Sequence, residues 1–320
     1  MSQLARILSA VVGLVALVLV ASIATSWAPD QPVSELIARW AQPPSVFVDV
    51  AGFGAHVRDE GPRDDPAPVV LLHGTSDSLH TWGGWTEVLT RERRVIRVDL
   101  PGFGLTGPAP DSDYRVERYV EFVGALLDTL GVQRCVLGGN SFGGWVAWET
   151  ALAQPGRVRA LILVDAAGYP IESQSVPIGF RIARVPGLNS AARAILPRSL
   201  VESSVRNTYG DPSRVTDDLV DRYYELTLRE GNRAALSQRF AAGRWAADPA
   251  RIRQVRQPTL ILWGGRDGLI PLRYGEQFNR DIAGSRLVVF PELGHVPQEE
   301  DSAATVVAVS QFLHELGTDF

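Results

Sequence analysis

The sequence predicts an α/β fold, in which a mostly parallel sheet is covered by helices on both faces. Segments typical of strands alternate with segments typical of helices along most of the chain, which indicates βαβ units. Val69–Leu72 is a continuous apolar run, as expected of a strand that is covered on both faces. Between residues 169 and 257 the alternation stops, and helical segments broken by Pro and Gly replace it. The pattern therefore predicts a sheet-based core with an inserted helical cap.

The first part of the core, residues 45–168, begins with a hairpin. Val46–Val50 and Ala55–Arg58 have the pattern of short strands, and Gly52-Phe53-Gly54 joins them. Beyond the hairpin, apolar runs predict strands and apolar positions at helical spacing predict helices. The strands are predicted at 69–72, 94–98, 135–137 and 160–164, and the helices at 82–90, 114–130 and 142–153.

The second part of the core, residues 258–320, resumes the alternation. Strands are predicted at 259–263 and 286–290, and helices at 272–282 and 302–316. The block 169–257 between the two parts is the predicted cap. Its apolar residues, such as Phe180 and Ile182, form either a surface that faces the core or the interior of the cap itself. A length of 320 residues fits one large domain with an insertion.

Composition and charge exclude several classes of function. The formal net charge is −5 and the basic residues are spread along the chain, so nucleic-acid binding is not predicted. All 31 basic residues are Arg, which rules out a Schiff-base lysine, a P-loop lysine and a Ser–Lys dyad. Cys135 is the single cysteine, so an intramolecular disulfide is impossible. Neither a metal nor an organic cofactor is predicted.

The N-terminal segment has the composition of a membrane span. Residues 7–23 are almost wholly apolar, and no charged residue lies between Arg6 and the end of this segment. The sequence predicts that 1–27 form a membrane anchor and 28–44 a linker. Because Arg6 precedes the span, the body is predicted to lie outside the cytoplasm. The small residues of Ser22-Ile23-Ala24 leave open a cleaved signal peptide and a secreted or periplasmic protein.

The strongest motif is Gly139-Asn140-Ser141-Phe142-Gly143, a G-x-S-x-G pattern. It lies directly after a predicted strand and at the start of a predicted helix, which is the context of a nucleophile elbow. Glycines two residues either side of the serine let the backbone turn tightly without Cβ clashes. The Ser141 hydroxyl then lies near a helix N-terminus, where developing negative charge is favoured. The alternative is a glycine-rich turn in which the serine is incidental.

A nucleophilic serine needs a base, and the base needs an acid that orients it. His295 lies in the loop Leu293-Gly294-His295-Val296-Pro297, between the last predicted strand and the last predicted helix. Asp267 follows the end of the strand predicted at 259–263, and the chain order Ser, Asp, His agrees with the elbow. We predict His295 as the base and Asp267 as the acid. Asp165, which also follows a strand, is the alternative acid.

An oxyanion hole is predicted beside the nucleophile. His73-Gly74-Thr75-Ser76 follows the strand Val69–Leu72, and the glycine lets the chain turn and present its amides to the reacting oxygen. The predicted donors are the backbone N–H groups of Thr75 and Phe142, with Ser76 as the alternative to Thr75.

These features resemble the α/β-hydrolase superfamily over about Val46 to Leu316. The motifs that carry the resemblance, in chain order, are His73-Gly74, Asp99-Leu100-Pro101-Gly102-Phe103-Gly104, the elbow Gly139–Gly143 and the pair Asp267 and His295. The resemblance implies an eight-stranded, mostly parallel sheet and a helical cap over the active site.

The residues of the elbow distinguish between subfamilies. Haloalkane dehalogenases and epoxide hydrolases use an aspartate nucleophile, and Ser141 occupies that position here. The elbow, with Gly143-Gly144, is similar to that of carbon–carbon hydrolases that cleave ring-fission products of aromatic degradation. Those enzymes typically carry Trp after the catalytic His, where this chain has Val296. The predicted function is therefore hydrolysis of carboxylic esters by a carboxylesterase or lipase-like enzyme.

The predicted mechanism is acyl transfer through an acyl-enzyme on Ser141, and the predicted substrate is a small, apolar ester. One alternative is a carbon–carbon bond hydrolase of the ring-fission type. Another is a non-catalytic, anchored binding protein with the same fold. The sequence makes no prediction of oligomeric state.

Overall fold

Eight strands form one sheet at the centre of the protein. The structure, a computed structural model, describes residues 3, 7, 11–14, 17, 24–185, 194–242 and 247–317. The strands are β1 (Val46–Val50), β2 (Phe53–Glu60), β3 (Val69–Leu72), β4 (Val95–Val98), β5 (Cys135–Asn140), β6 (Val158–Val164), β7 (Thr259–Gly264) and β8 (Arg286–Phe290). Their order is β1-β2-β4-β3-β5-β6-β7-β8. The pairs β1·β2 and β2·β4 are antiparallel and the others are parallel, so the predicted eight-stranded, mostly parallel sheet is confirmed.

Helices cover both faces of this sheet, as predicted. Twelve α-helices of four or more residues lie in the described part of the chain between residues 24 and 317. In chain order they are α1 (Val33–Trp40), α2 (Gly83–Leu89), α3 (Val116–Thr129), α4 (Phe142–Ala153), α5 (Ile178–Ala183), α6 (Arg198–Arg206), α7 (Asp217–Leu228), α8 (Asn232–Ala241), α9 (Pro249–Ile252), α10 (Arg273–Asp281), α11 (Pro297–Glu300) and α12 (Ser302–Leu316). Short 3₁₀ turns also occur at Leu79–Trp82 and Pro212–Arg214.

The alternation of side chains along the buried strands divides the core into two layers. Val70 and Leu72 of β3 pack with residues of α3, α4 and α10 on one face. Val69 and Leu71 point to the opposite face and pack with residues of α2 and α12. Because successive side chains of a strand point to opposite faces, every residue of such a strand must be apolar, which explains the continuous run in the sequence.

The cap consists of helices α5 to α9, which the chain enters after β6 and leaves before β7. Val201, Val205 and Val220 belong to its own buried cluster, which also includes Val296 of the core. The cap therefore packs on the part of the core that follows His295 in sequence. Of the predicted cap block, residues 186–193 and 243–246 lie outside the described residues.

The predicted membrane anchor is corrected by the structure. Among the residues described, none belongs to a helix that is both long enough and apolar enough to cross a bilayer. The longest helix in that part of the chain, α12, has 15 residues, whereas a span needs about 20. This finding contradicts three predictions. They are the N-terminal anchor, the membrane as a partner, and the location outside the cytoplasm, which depended on the anchor. Most of residues 1–23, on which the prediction depended, lie outside the described residues.

The segment predicted as a linker, residues 28–44, contains helix α1 and packs against the cap. The Trp40 indole donates to Glu225 of α7 at 2.7 Å, and Leu36 is buried. The backbone N–H of Ala28 donates to Ala194 at 2.9 Å. The prolines in this segment favour an extended connection. Its apolar and aromatic residues instead pack on the surface of the cap, as Leu36 and Trp40 show.

Candidate active site

Ser141 occupies a sharp turn between β5 and α4. Its backbone dihedrals are φ 54° and ψ −117°, a strained conformation for a residue with a side chain. The two glycines of the motif are required by space. A Cβ on Gly139 would overlap the backbone of Gly143, and a Cβ on Gly143 would overlap the carbonyl of Leu72 in β3. The sequence therefore builds an elbow that only this spacing of glycines allows.

Backbone hydrogen bonds on both sides hold the strained serine in place. Its N–H donates to the Val164 carbonyl at 2.9 Å, and its carbonyl accepts from the N–H of Ala167 at 2.9 Å. Both partners lie at or just beyond the end of β6. The nucleophile is thus fixed to the neighbouring strand, which is how surrounding structure maintains a conformation that costs about 1–3 kcal/mol.

His295 and Asp267 form a buried pair. His295 Nδ1 and Asp267 Oδ2 are 2.7 Å apart. The other carboxylate oxygen of Asp267 accepts from the N–H groups of Leu269 at 2.8 Å and Ile270 at 2.9 Å. Ser141 and His295 line the same cavity. The three predicted residues therefore lie at one site, and their roles as nucleophile, base and orienting acid stay a prediction.

The alternative acid, Asp165, lies beside this pair, but the hydrogen bond to the His295 imidazole is made by Asp267. One oxygen of Asp165 accepts from the N–H of Gly264 at 2.9 Å. Burial, reinforced by the nearby charge of Asp267, raises the pKa of Asp165 well above its usual range. The carboxylate that is bonded to the imidazole is that of Asp267, so the geometry favours Asp267 as the acid.

Three buried side chains at this site carry atoms that could bind a metal ion. Asp165, Asp267 and His295 each place one potential ligand atom within 4.8 Å of the others. Asp267 Oδ2 and His295 Nδ1 already form the 2.7 Å hydrogen bond that a triad requires.

The predicted oxyanion loop lies directly against the nucleophile. A Cβ on Gly74 would lie 3.2 Å from the Cβ of Ser141 and 2.8 Å from the Asn140 side chain. Thr75 and Ser76 line the cavity beside the nucleophile, and Phe142 is the first residue of α4. The N–H groups of Thr75 and Phe142 thus belong to the two segments that flank Ser141, and their role as donors stays a prediction.

His73 fixes this loop rather than taking part in catalysis. Its Nδ1 bonds to the Gly74 carbonyl at 2.7 Å, and its Nε2 accepts from the N–H of Leu100 at 2.9 Å. Burial lowers the pKa of His73, which favours the neutral ring that these two bonds need.

A cavity between the core and the cap leads to Ser141. Its volume of about 170 Å³ far exceeds the ~30 Å³ that one water occupies in the liquid, so it can hold a small organic molecule. Most of the wall is apolar. The apolar residues that the cap and the histidine loop contribute include Phe180, Ile182, Ile195, Leu196, Leu200, Val201, Val205 and Val296. Of the two alternatives for the apolar residues of the cap, a surface that faces the core holds for Phe180 and Ile182, which line the cavity beside the nucleophile.

Sequence reasoning missed several polar residues at this cavity. Asp77, which lines it, pairs with the buried Arg222 of the cap at 3.4 Å, and Arg222 also pairs with Glu299 at 2.6 Å. Asn140 and Glu300 bond to the backbone of the loop that carries His295. The position of Asn140 inside the elbow motif is the one signal that pointed to any of these contacts.

The fold and the site define a serine hydrolase, and comparison with known proteins places it in a family. The family model described as the α/β hydrolase fold matches residues 67–302, so the chain belongs to the α/β-hydrolase family. Two curated relatives cover most of its length. One is 2-hydroxy-6-oxo-2,4-heptadienoate hydrolase of Pseudomonas putida F1, 35% identical over 277 residues, which are 83% of this chain and 95% of the relative. The other is 2-hydroxymuconate semialdehyde hydrolase of Pseudomonas sp. CF600, 31% identical over 83% of this chain and 92% of the relative.

The chain is also similar to solved structures of hydrolases over most of its length. The meta-cleavage product hydrolase CumD of Pseudomonas fluorescens IP01, complexed with acetates, has a TM-score of 0.73 and 26% identity, covering 85% of this chain and 97% of that chain. An esterase from Thermogutta terrifontis with malate bound has a TM-score of 0.69 and 25% identity, covering 86% and 99%. The protein is therefore a hydrolase. The proteins named above include one described as a meta-cleavage product hydrolase and one described as an esterase.

Proposed function

We propose that this hydrolase cleaves a carbon–carbon bond beside a ketone in a small ring-opened product of aromatic degradation, with Ser141 as nucleophile, His295 as base and Asp267 as acid. The observation that supports it most is the strained Ser141 beside the buried His295–Asp267 pair in an apolar cavity. The two curated relatives described above supply the substrate class. Their names reverse the order that the sequence favoured, in which esters came first and carbon–carbon cleavage second.

The first chemical step is the same for a ketone and for an ester. His295 takes the proton of the Ser141 hydroxyl as its oxygen attacks the carbonyl carbon. Asp267 stabilises the imidazolium, and the N–H groups of Thr75 and Phe142 donate to the oxyanion. The result is a tetrahedral intermediate bonded to Ser141.

The second step distinguishes carbon–carbon cleavage. In a 2-hydroxy-6-oxo-dienoate the carbon next to the ketone is vinylic, and a vinyl carbanion is a poor leaving group. Moving the proton of the 2-hydroxyl to that carbon gives a 2-oxo compound. Breaking the bond then leaves a dienolate whose charge is delocalised onto the 2-oxygen. The imidazolium of His295 gives up its proton as the dienolate is protonated to the 2-hydroxydienoate. His295 then takes a proton from water, which attacks the acyl-enzyme, and returns it to the Ser141 oxygen as the carboxylic acid leaves.

Ester hydrolysis is the second candidate, and Val296 is the residue that favours it. Val296 is buried, lines the cavity and follows His295 where the carbon–carbon hydrolases typically carry Trp. An apolar valine there leaves space for an acyl or alkyl chain in place of a flat indole. In this case the alcohol leaves with a proton from His295, and the acyl-enzyme is hydrolysed as before.

One pair of assays tests both candidates. The wild-type protein and Ser141→Ala are given 2-hydroxy-6-oxo-2,4-heptadienoate, whose absorbance is lost on cleavage, and p-nitrophenyl esters of increasing chain length. Cleavage of the dienoate with a higher kcat/KM than any ester, abolished in Ser141→Ala, supports the proposal. A preference for an ester supports the second candidate. No Ser141-dependent turnover of either class, with a folded wild-type protein, contradicts both.

A further inference from the structure

The carboxylate of Glu300, in α11, binds three backbone N–H groups at once. It accepts from Gly294 at 2.8 Å, from Gly210 at 2.9 Å and from Asp211 at 2.7 Å. Gly294 directly precedes His295, whereas Gly210 and Asp211 belong to the cap. The side chain of Glu300 is buried, at 7% exposure, so water does not compete with these bonds.

The two segments that Glu300 joins are the histidine loop, residues 292–295, and the cap loop, residues 208–211. They touch through their backbones. The N–H of His295 donates to the Thr208 carbonyl at 2.7 Å. A Cβ on Gly294 would overlap the Thr208 carbonyl, and a Cβ on Gly210 would overlap the Glu292 carbonyl. Glycines at both positions therefore permit a contact with no side chain between the loops.

The backbone of His295 is thus held from two directions. Its N–H is bound by the cap loop, and its carbonyl accepts from the side-chain amide of Asn140 in the core at 2.9 Å. The cap residues Val205 and Thr208 also line the substrate cavity. A change in the cap that moves its loop must consequently move the histidine loop or break these bonds.

We propose that Glu300 is a positioning residue for His295, and that it couples the placement of the cap loop to the placement of the base. The inference rests on the proposed function in one respect, that His295 activates Ser141. A cap that is correctly seated over a substrate completes the support of the base. A cap that is displaced withdraws the Thr208 carbonyl from His295 and two of the three donors from Glu300.

The carboxylate is suited to this role because it only accepts hydrogen bonds. A glutamine has one acceptor oxygen, and its amide group would meet at least one N–H donor with another donor. Glu300→Gln therefore breaks part of the contact at nearly constant volume, and Glu300→Ala removes it entirely. Glu315→Gln is the matched control. It makes the same change of side chain on the neighbouring helix α12, where the exposed partners of Glu315, Arg286 at 2.8 Å and Gln311 at 2.8 Å, belong to neither loop.

The test measures the reactivity of Ser141 directly. Wild type, Glu300→Gln, Glu300→Ala and Glu315→Gln are treated with a fluorophosphonate, and the rate constant of labelling is recorded. Steady-state kcat and KM are measured on whichever substrate the wild type turns over. Amide hydrogen exchange is followed in peptides that contain the cap loop and the histidine loop, and melting temperature reports stability.

The expected result is slower labelling and a kcat lower by up to about 100-fold in the Glu300 variants, with KM changed little, because misplacing a base costs rate rather than binding. Exchange should become faster in both loops together. Glu315→Gln should keep the labelling rate of the wild type and change the melting temperature little, because its partners are exposed. Labelling and kcat equal to wild type in both Glu300 variants, or faster exchange in one loop only, would overturn the inference. A wild type that does not label at all contradicts the role of Ser141 instead. If Glu300→Ala does not fold, the milder Glu300→Gln decides.

Discussion

The side-chain amide of Asn140 donates a 2.9 Å hydrogen bond to the main-chain carbonyl of His295. The residue next to the nucleophile therefore holds the loop that carries the base. The same amide also donates to the Val164 carbonyl at the end of β6, at 3.2 Å. One buried side chain thus joins three segments that are far apart in sequence, and the relative position of Ser141 and His295 depends on it.

Replacement of Asn140 by alanine is expected to lower both stability and kcat. The His295 carbonyl would lose its partner in a buried site, which costs about 1–3 kcal/mol, and the base would be held less firmly. Melting temperature and kcat of Asn140→Ala would be compared with those of Asn207→Ala. Asn207 makes an exposed side-chain bond to Ser175 at 2.6 Å, so its loss should change neither quantity much. Equal effects of the two substitutions would contradict this role of Asn140.

Ser141→Gly is expected to abolish activity while stabilising the fold. Glycine adopts a positive φ of 54° without a Cβ clash, so the strain at the elbow should be released, by about 1 kcal/mol after the added freedom of the unfolded chain is subtracted. Ser141→Ala removes the same hydroxyl but keeps the Cβ, and should be inactive without this gain. Urea unfolding of the three proteins measures the difference. A glycine variant less stable than the alanine variant would show that the elbow is not strained.

Much of the site follows from local sequence because each feature needs few residues. The elbow depends on two glycines that lie within five positions of one another, and the order of strand, turn and helix fixes where Ser141 points. The strands are recognisable because burial on both faces demands apolar runs such as Val69–Leu72. These parts could be predicted without knowing any contact between distant segments.

The contacts that hold the base could not be predicted in this way. Glu300 bonds to Gly210, 90 positions earlier, and His295 bonds to Thr208. Nothing in the local pattern of an acidic residue distinguishes a buried acceptor of three amides from a solvated side chain. The N-terminal prediction rests on apolar composition at residues 7–23 alone, and it is wrong because none of the described residues belongs to a helix that is long and apolar enough to span a membrane.

Asp267→Asn and Asp165→Asn are expected to affect kcat differently, which distinguishes the roles of the two carboxyl groups. Loss of the charge on Asp267 should lower kcat on the order of 10⁴-fold, because the imidazolium loses its stabilising partner and the correct tautomer. Asp165→Asn should keep kcat within a few-fold, since Asp267, and not Asp165, is bonded to His295. Steady-state kinetics of both variants checks this, and a comparable loss of kcat in Asp165→Asn would make Asp165 part of the catalytic machinery.

The stability of Asp165→Asn should also depend less on pH. The folded pKa of Asp165 is raised, so the folded state binds more protons than the unfolded state once the pH exceeds the ordinary value of 3.8. The free energy of unfolding of the wild type therefore falls as the pH rises through this window, and the asparagine removes that contribution. Urea titrations at about pH 5 and about pH 8 should show a smaller decrease for the variant. An equal decrease in both proteins would mean that Asp165 is ionised in the folded state.

Ionisation of Asp77 is expected to weaken the binding of anionic substrates above neutral pH. Burial, together with the nearby charge of Glu299, raises the pKa of Asp77 to about 7, although Arg222 opposes the shift. As the pH rises past this value, the wall of the cavity gains a negative charge. The KM for a ring-opened dienoate, which carries a carboxylate, should then increase by about 5-fold, the effect of roughly 1 kcal/mol of screened repulsion. The KM for a neutral p-nitrophenyl ester should stay constant over the same range. Asp77→Asn should remove the pH dependence for the dienoate, whereas an unchanged dependence in this variant would assign the titration to another group.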